Sequence, residues 1–258
     1  MKKLLKVLLV LVMAFAIAAC GNSASNDSAT EETITITIGT SPDYWPYEQL
    51  NTNGDIEGFD VDMVALFEQY LTEEEGTPYH LEFKQMDFNN IVTQIQGDQV
   101  DLGISGFTYS EDRVVEWSKP YLDSSQVAVV NADSDIKTLA DLEGKVLGAQ
   151  TGTTGEDAAK GVKNANVQSL DDANDLFNAL AAKQYDAVII DSGVANAQAA
   201  NGKFVVLGDE LLKEENYIIA KEGNKDIIEK INKCIDRFLA SKEYKEMCEK
   251  YSLKALSD

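Results

Sequence analysis

From Ile34 onward, short apolar segments that read as strands alternate with segments of helical periodicity, and this alternation confines the chain to layered α/β architectures. Residues 33–38 put Ile34, Ile36 and Ile38 on one side of a strand, which Gly39-Thr40-Ser41-Pro42 then breaks. Asp60 is placed to cap a helix in which Val64, Phe67 and Leu71 recur at helical spacing. A strand over 79–83, a helix around 88–96 and a short apolar strand over 100–104 follow. After a strand over 126–130 the alternation resumes with a strand at 145–149, a helix from Glu156, a helix at 173–182 and an apolar strand at 187–190. A last strand, 217–220, precedes a helix over 225–239 and a final one from about Ser241, the expected cap, to Tyr251. Such an order favours parallel sheets flanked by helices, with ligands received at the C-terminal ends of the strands.

The first residues follow another logic. Lys2, Lys3 and Lys6, an apolar stretch over 7–16 and small residues just before Cys20 have the layout of a secretory signal. The apolar stretch is shorter than the roughly 20 residues a membrane-spanning helix needs, so a removed leader is favoured over a retained anchor helix. Ile17-Ala18-Ala19-Cys20 resembles a lipobox, whose cysteine is lipidated and becomes the new N-terminus; the plain alternative is an ordinary signal with an incidental cysteine. Several acyl chains, at about 0.8 kcal/mol per buried methylene, hold a protein on a membrane where one chain does not. We therefore expect a signal peptide over 1–19, a flexible Ser/Asn/Asp-rich tether over 20–32, and a lipid anchor at Cys20 on the extracytoplasmic face of the cell membrane, as on a Gram-positive surface.

Removal of the leader takes three of the 22 basic residues and none of the 44 acidic ones, leaving a net charge of −25. A surface this acidic serves solubility and argues against nucleic acid or an anionic membrane face as partner. Residues 33–258 suffice for one large domain or two modest ones. Cys234 and Cys248 fall on the expected C-terminal helices, where they either pair or remain two buried thiols. His80 is the single histidine, no metal-ligand spacing is present, and no cofactor is expected.

Four segments carry the functional signal. They are Gly39-Thr40-Ser41-Pro42-Asp43-Tyr44-Trp45-Pro46-Tyr47-Glu48; Gly58-Phe59-Asp60-Val61-Asp62; Asp101-Leu102-Gly103-Ile104-Ser105-Gly106-Phe107-Thr108 through Glu111-Asp112-Arg113 to Pro120-Tyr121; and Gly144-Lys145-Val146 through Thr151-Gly152-Thr153-Thr154. In this order and spacing the chain resembles the extracellular solute-binding proteins of family 3, the polar-amino-acid receptors of ABC transporters, from about Ile34 to its C-terminus. The resemblance implies a type II periplasmic-binding-protein-like fold of two α/β lobes joined by two hinge strands, here 126–131 and 216–220. Lobe 1 would comprise 33–127 and 217–258, and lobe 2 would comprise 128–216. It also implies a monomer that closes on an amino acid and docks on a membrane permease powered by a cytoplasmic ATPase.

A free amino acid brings a carboxylate and an ammonium, and burying either unpaired costs several kcal/mol, so the site must offer a cation and an anion at a fixed separation. Arg113 suits the carboxylate because its planar fork engages both oxygens; a surface arginine pairing with Glu111 or Glu116 is the plain alternative. Asp191 closes the apolar strand and either holds the ligand or caps the helix beginning near Gly193. Gly152-Thr153-Thr154-Gly155, between strand and helix, suits an anion but lacks the Gly-Lys-Ser/Thr ending of a phosphate loop, which excludes nucleotide binding. By resemblance, Gly106 offers its carbonyl to the ammonium, Thr108 and Thr154 serve the carboxylate, and Asp191 holds the ammonium. Tyr44 and Phe88 then flank the ligand side chain, with Gln150 and Ile190 at its far end. Relatives that bind cationic amino acids often carry an acid where this chain has Ser41, and some glutamine binders carry a lysine at Gln150 and a histidine at Ile190. Their absence favours a neutral polar or moderately apolar side chain, although the aromatic pair also admits arginine or lysine.

Two rivals share the fold. A dehydratase of the cyclohexadienyl type would need a general acid in the cleft, which without a cleft histidine falls to a carboxylate, lysine or tyrosine. A sensor module or the binding part of a lytic enzyme would need a second span or a catalytic domain, and none is read in the sequence through Asp258.

Overall fold

The structure is a computed structural model and describes residues 32–257. The leader 1–19, Cys20 and all but the last residue of the tether lie outside the described residues. The chain begins with β1 (Ile34–Thr40), three short strands β2 (Asp43–Tyr44), β3 (Glu48–Leu50) and β4 (Ile56–Glu57), and helix α1 (Phe59–Glu75). It continues through β5 (Tyr79–Gln85), α2 (Phe88–Gln96), β6 (Leu102–Gly103) and the long strand β7 (Val115–Asn131). Next come β8 (Val146–Gln150), α3 (Thr154–Gly161), β9 (Asn166–Leu170), α4 (Ala173–Ala181), β10 (Ala187–Asp191) and α5 (Ser192–Ala199). A second long strand, β11 (Phe204–Lys221), leads into α6 (Lys225–Leu239) and α7 (Lys242–Tyr251).

Eight strands form one sheet in the order β5-β1-β6-β11-β7-β10-β8-β9. Its two ends, β5-β1-β6 and β10-β8-β9, are parallel, as the strand–helix alternation predicts. Its centre is antiparallel, because β7 and β11 run alongside each other through the middle and so link the two ends. Helices α3, α4 and α5 all pack on β10, which is buried at every residue; a strand covered on both faces has a continuous apolar run and not an alternating one. The main core takes Ile38, Phe59, Phe67 and Phe238 from one end and Leu176, Val188 and Val194 from the other. Each such side chain contributes about 1.5–3 kcal/mol on burial.

Several expectations need adjustment. Asp60 does not cap α1: the helix starts at Phe59, and the chain turns at Gly58, where φ is +147° and a Cβ would lie 2.1 Å from the Tyr47 carbonyl oxygen. Asp60 is instead fully buried and accepts hydrogen bonds from the Tyr121 hydroxyl (3.2 Å) and the Gly106 N–H (3.4 Å). The strand expected at 100–104 shrinks to Leu102–Gly103, and that at 217–220 is the end of an 18-residue strand. Ser241 does cap α7, accepting from the Tyr244 N–H at 3.2 Å. Cys234 and Cys248 are both buried and unpaired, and burial pushes their thiols up to about 12 and about 11, where they are structural and unreactive. Among the described residues no helix is long and apolar enough to cross a membrane.

Candidate functional site

The polar side chains singled out in the sequence meet where the two ends of the sheet face each other beside β7 and β11. Arg113 follows β6 and reaches both sides of this meeting place. Its Nη1 donates to the Thr108 carbonyl (2.5 Å) and its Nη2 to the Gly152 carbonyl (2.9 Å), and neither Glu111 nor Glu116 is its partner. The guanidinium lies over the Phe88 and Phe107 rings, 5.6 and 5.4 Å from their centroids, and the two rings stack on each other at 4.6 Å. Burial pulls its pKa below the usual guanidinium value, against the attraction of Glu214, Asp157 and Asp191. A cation held this way is stripped of much of its water and aligned for a planar anion.

Asp191 ends β10 and precedes α5, yet its side chain makes no cap bond there. Its Oδ2 accepts from the Tyr44 hydroxyl (2.8 Å) and from Gln126 Nε2 (2.9 Å), and its Oδ1 accepts from the Ser124 hydroxyl. Only 3 % of it is exposed, and burial raises its pKa against the pull of these donors. The capping alternative is thereby removed. Capping is instead the role of Thr153, whose hydroxyl accepts from the Glu156 N–H (3.2 Å) at the start of α3, leaving the next hydroxyl, Thr154, to face Thr108 at 2.8 Å.

Gly106 places its carbonyl against Asn216 Nδ2 (3.0 Å), a residue of β11. Phe88 opens α2 and is buried. Gln150 is buried at the end of β8 and donates to Asp43 Oδ2 (3.0 Å) and the Asp171 carbonyl (2.9 Å). Ile190 lies in the main core. All eight predicted ligand-binding residues therefore border one region, Gln150 being at its far end beside Asp43.

Sequence reasoning missed several participants. Asp43 accepts from the Ala173 N–H (2.7 Å) at the start of α4 and from the Ser41 hydroxyl (2.7 Å), and burial pushes its carboxyl up to about 6. Ser124 and Gln126 stand on β7 as the two polar residues that point at Asp191; the polar run Asp123-Ser124-Ser125-Gln126 at the head of the apolar stretch Val127–Val130 was a usable signal. Glu214 accepts from Gln126 Nε2 (2.9 Å) and the Thr154 hydroxyl (3.0 Å), and burial and the nearby Asp191 charge push it up to about 7. Within Lys213-Glu214-Glu215-Asn216 it resembled one more surface acid. The assembled groups can hold a small zwitterion, with a desolvated cation at one pole and buried acceptors at the other.

Known proteins share the sequence and fold of this chain over most of its length. Residues 36–254 match the model for bacterial extracellular solute-binding proteins, family 3. The chain is 30% identical to the probable histidine-binding protein of Campylobacter jejuni over 98% of this chain and 100% of that protein. It is likewise 30% identical to the arginine-binding extracellular protein ArtP of Bacillus subtilis, over 97% of this chain and 98% of that one. Among solved structures, the substrate-binding protein of an amino acid ABC transporter superposes with a TM-score of 0.77 at 32% identity, covering 84% of this chain and 98% of that chain.

Proposed function

The chain belongs to the bacterial extracellular solute-binding proteins of family 3, and from that premise we propose that it is the substrate-binding lipoprotein of an ABC importer. It takes a free amino acid between two lobes, 33–127 with 217–258 and 128–216, and presents it to a membrane permease without doing chemistry on it. The observation that carries this reading is the meeting of Arg113, set after β6, with Asp191, set at the end of β10, in one buried polar cluster. The ligand carboxylate goes to Arg113, Thr108 and Thr154, its ammonium to Asp191 and the Gly106 carbonyl, and its side chain toward Tyr44, Phe88 and Gln150. Ser41, Gln150 and Ile190 support a neutral polar side chain. The leader, the lipobox and Cys20 support a monomer tethered by lipid outside the cytoplasm, as on a Gram-positive surface.

A ligand that touches both lobes binds the closed form better than the open one, and that difference is what moves the hinge. A thermal-shift screen with the twenty common amino acids, cystine and ornithine tests the proposal, since only a true ligand raises the melting temperature. At least one compound is expected to do so, and Arg113→Ala should abolish its shift while leaving the unliganded melting temperature nearly unchanged. An undiminished shift in that variant would mean that the carboxylate is held elsewhere.

A further inference from the structure

The polar cluster around Asp191 is rich in acceptors and poor in donors. Gln126 Nε2, with two hydrogens, faces three acceptors: Asp191 Oδ2, Glu214 Oε2 and the Thr154 hydroxyl. The Thr154 hydroxyl also donates to Glu214 Oε2, and the hydroxyls of Tyr44 and Ser124 are used on Asp191. Two buried atoms of the cluster are left without a partner, Glu214 Oε1 and Gln126 Oε1, and both are acceptors. Gln126 is 1 % exposed and Glu214 is half-buried, so the deficit of hydrogens lies at the inner end of the cluster.

The strand register says where Glu214 points. On β7 and β11, Glu214 pairs with Ser124 and Leu212 with Gln126. Directly opposed residues of an antiparallel pair project to the same face, so Glu214 shares the face of Ser124 and Gln126, the two β7 residues that hold Asp191. Beside it lies a cavity of about 500 Å³ that Tyr109, Ser124, Glu214 and Tyr217 help to line. Glu214 is also the largest of the charges that favour the Arg113 cation, yet no ion pair joins them. Two carboxyls bound to one amide nitrogen repel each other when both are charged, and a cation with several N–H groups beside them relieves both the repulsion and the shortage of donors.

Resting on the amino-acid reading above, we propose that Glu214 is a second acidic residue of the binding site, sharing the ammonium of the bound amino acid with Asp191. An ammonium has three hydrogens, and Glu214 Oε1 supplies an acceptor for one of them. β11, which runs on from Glu214 into the expected hinge segment, thus becomes a binding element, and affinity depends on a charge that it contributes.

Isothermal titration with the same twenty-two compounds as probes tests this on the full protein, its Glu214→Gln variant and its Glu214→Asp variant. Glutamine keeps the shape and the acceptor that Gln126 and Thr154 use but removes the charge; aspartate keeps the charge and shortens the reach. If Glu214 holds the ammonium, Glu214→Gln weakens the best-binding compound about 10- to 100-fold, and Glu214→Asp retains more affinity than Glu214→Gln. If Glu214 only packs against β7, the order reverses, with glutamine the better substitute, and the proposal is overturned. Binding by Glu214→Gln within twofold of the parent overturns it as well, and leaves the amino-acid reading intact. A parent protein that binds none of the twenty-two compounds overturns both.

Discussion

Glu48 and Asp60 are fully buried, and each leaves one carboxyl oxygen with no partner but the other carboxyl. The remaining oxygens accept from the Ser105 hydroxyl (2.5 Å) and from Tyr121 and the Gly106 N–H, so the pair sits beneath the Ser105-Gly106 turn that borders the site. Burial pushes both carboxyls upward, Asp60 to about 7, which favours one proton held between their two free oxygens. The folded protein therefore binds this proton more tightly than the unfolded chain does. The resulting stability is complete below the ordinary carboxylate range near pH 4 and is lost as pH rises through the raised folded-state values. Lysine-paired acids such as Asp133 act in the opposite sense, at and below their ordinary range. Between pH 5 and 8, denaturant unfolding of the parent should show stability falling with pH. Glu48→Gln, whose amide supplies the shared hydrogen permanently, should show a shallower fall; equal slopes would mean that no proton is shared. Residues of this kind mark the limit of reading a sequence. Arg113 and Asp191 were singled out by residue type, by Asp191's place at a strand end and by the family resemblance, and the structure brings both to one polar cluster. Asp60 was misread as a cap because a capping rule assumes a helix start open to solvent, whereas this one is packed under Tyr121.

Elements with their own periodicity were legible almost to the residue, as α2 (Phe88–Gln96) and α6 (Lys225–Leu239) show. Strands of two or three residues such as β2 and β4 were not, because they exist only through their partners. The first two-thirds of β11 was missed for the same reason: its apolar residues are interrupted by the exposed Gly208-Asp209-Glu210, and pairing with β7 makes it a strand. Packing between elements is equally hidden, and Gly103 is the clearest case. It lies in β6 between α2 and β11, and a Cβ there would approach Ile219 to 2.8 Å, Ile91 to 2.9 Å and Ile95 to 3.0 Å. Gly103→Ala must push α2 off the sheet, and α2 carries Phe88, the ring beneath Arg113. A loss of about 1–3 kcal/mol in urea unfolding is expected, together with weaker amino-acid binding. Gly161→Ala, at the end of α3 with nothing near its missing Cβ, should be neutral or mildly stabilising. Equal stability of Gly103→Ala and the parent would show that α2 docks more loosely than these distances imply.

At the scale of the whole molecule, the two ends of the sheet touch directly as well as through the site. Asp43, beside β1, accepts from the Ala173 N–H at the start of α4 and from Gln150 on β8, and Asn89 on α2 donates to Asp171 at 3.1 Å. Asp43 is thereby a third hydrogen-bonded acid at the start of α4, beside the cap residue Asp172, whose side chain accepts from the Asn174 and Asp175 N–H groups. These bonds cross from one proposed lobe to the other, so the proposed hinge motion would make them on closure and break them on opening. A latch of this sort changes the population of the closed form without touching the ligand, and the apparent affinity for every ligand scales with that population by one common factor. Asp43→Ala should therefore weaken all amino acids that the parent binds by the same several-fold factor and leave their rank order unchanged, mainly through faster dissociation. Arg113→Ala, which removes a ligand contact, should abolish binding outright. Titration of the panel against both variants separates the roles. A change of rank order in Asp43→Ala, with compounds bearing a side-chain cation losing most, would place Asp43 against the ligand side chain and not in a latch.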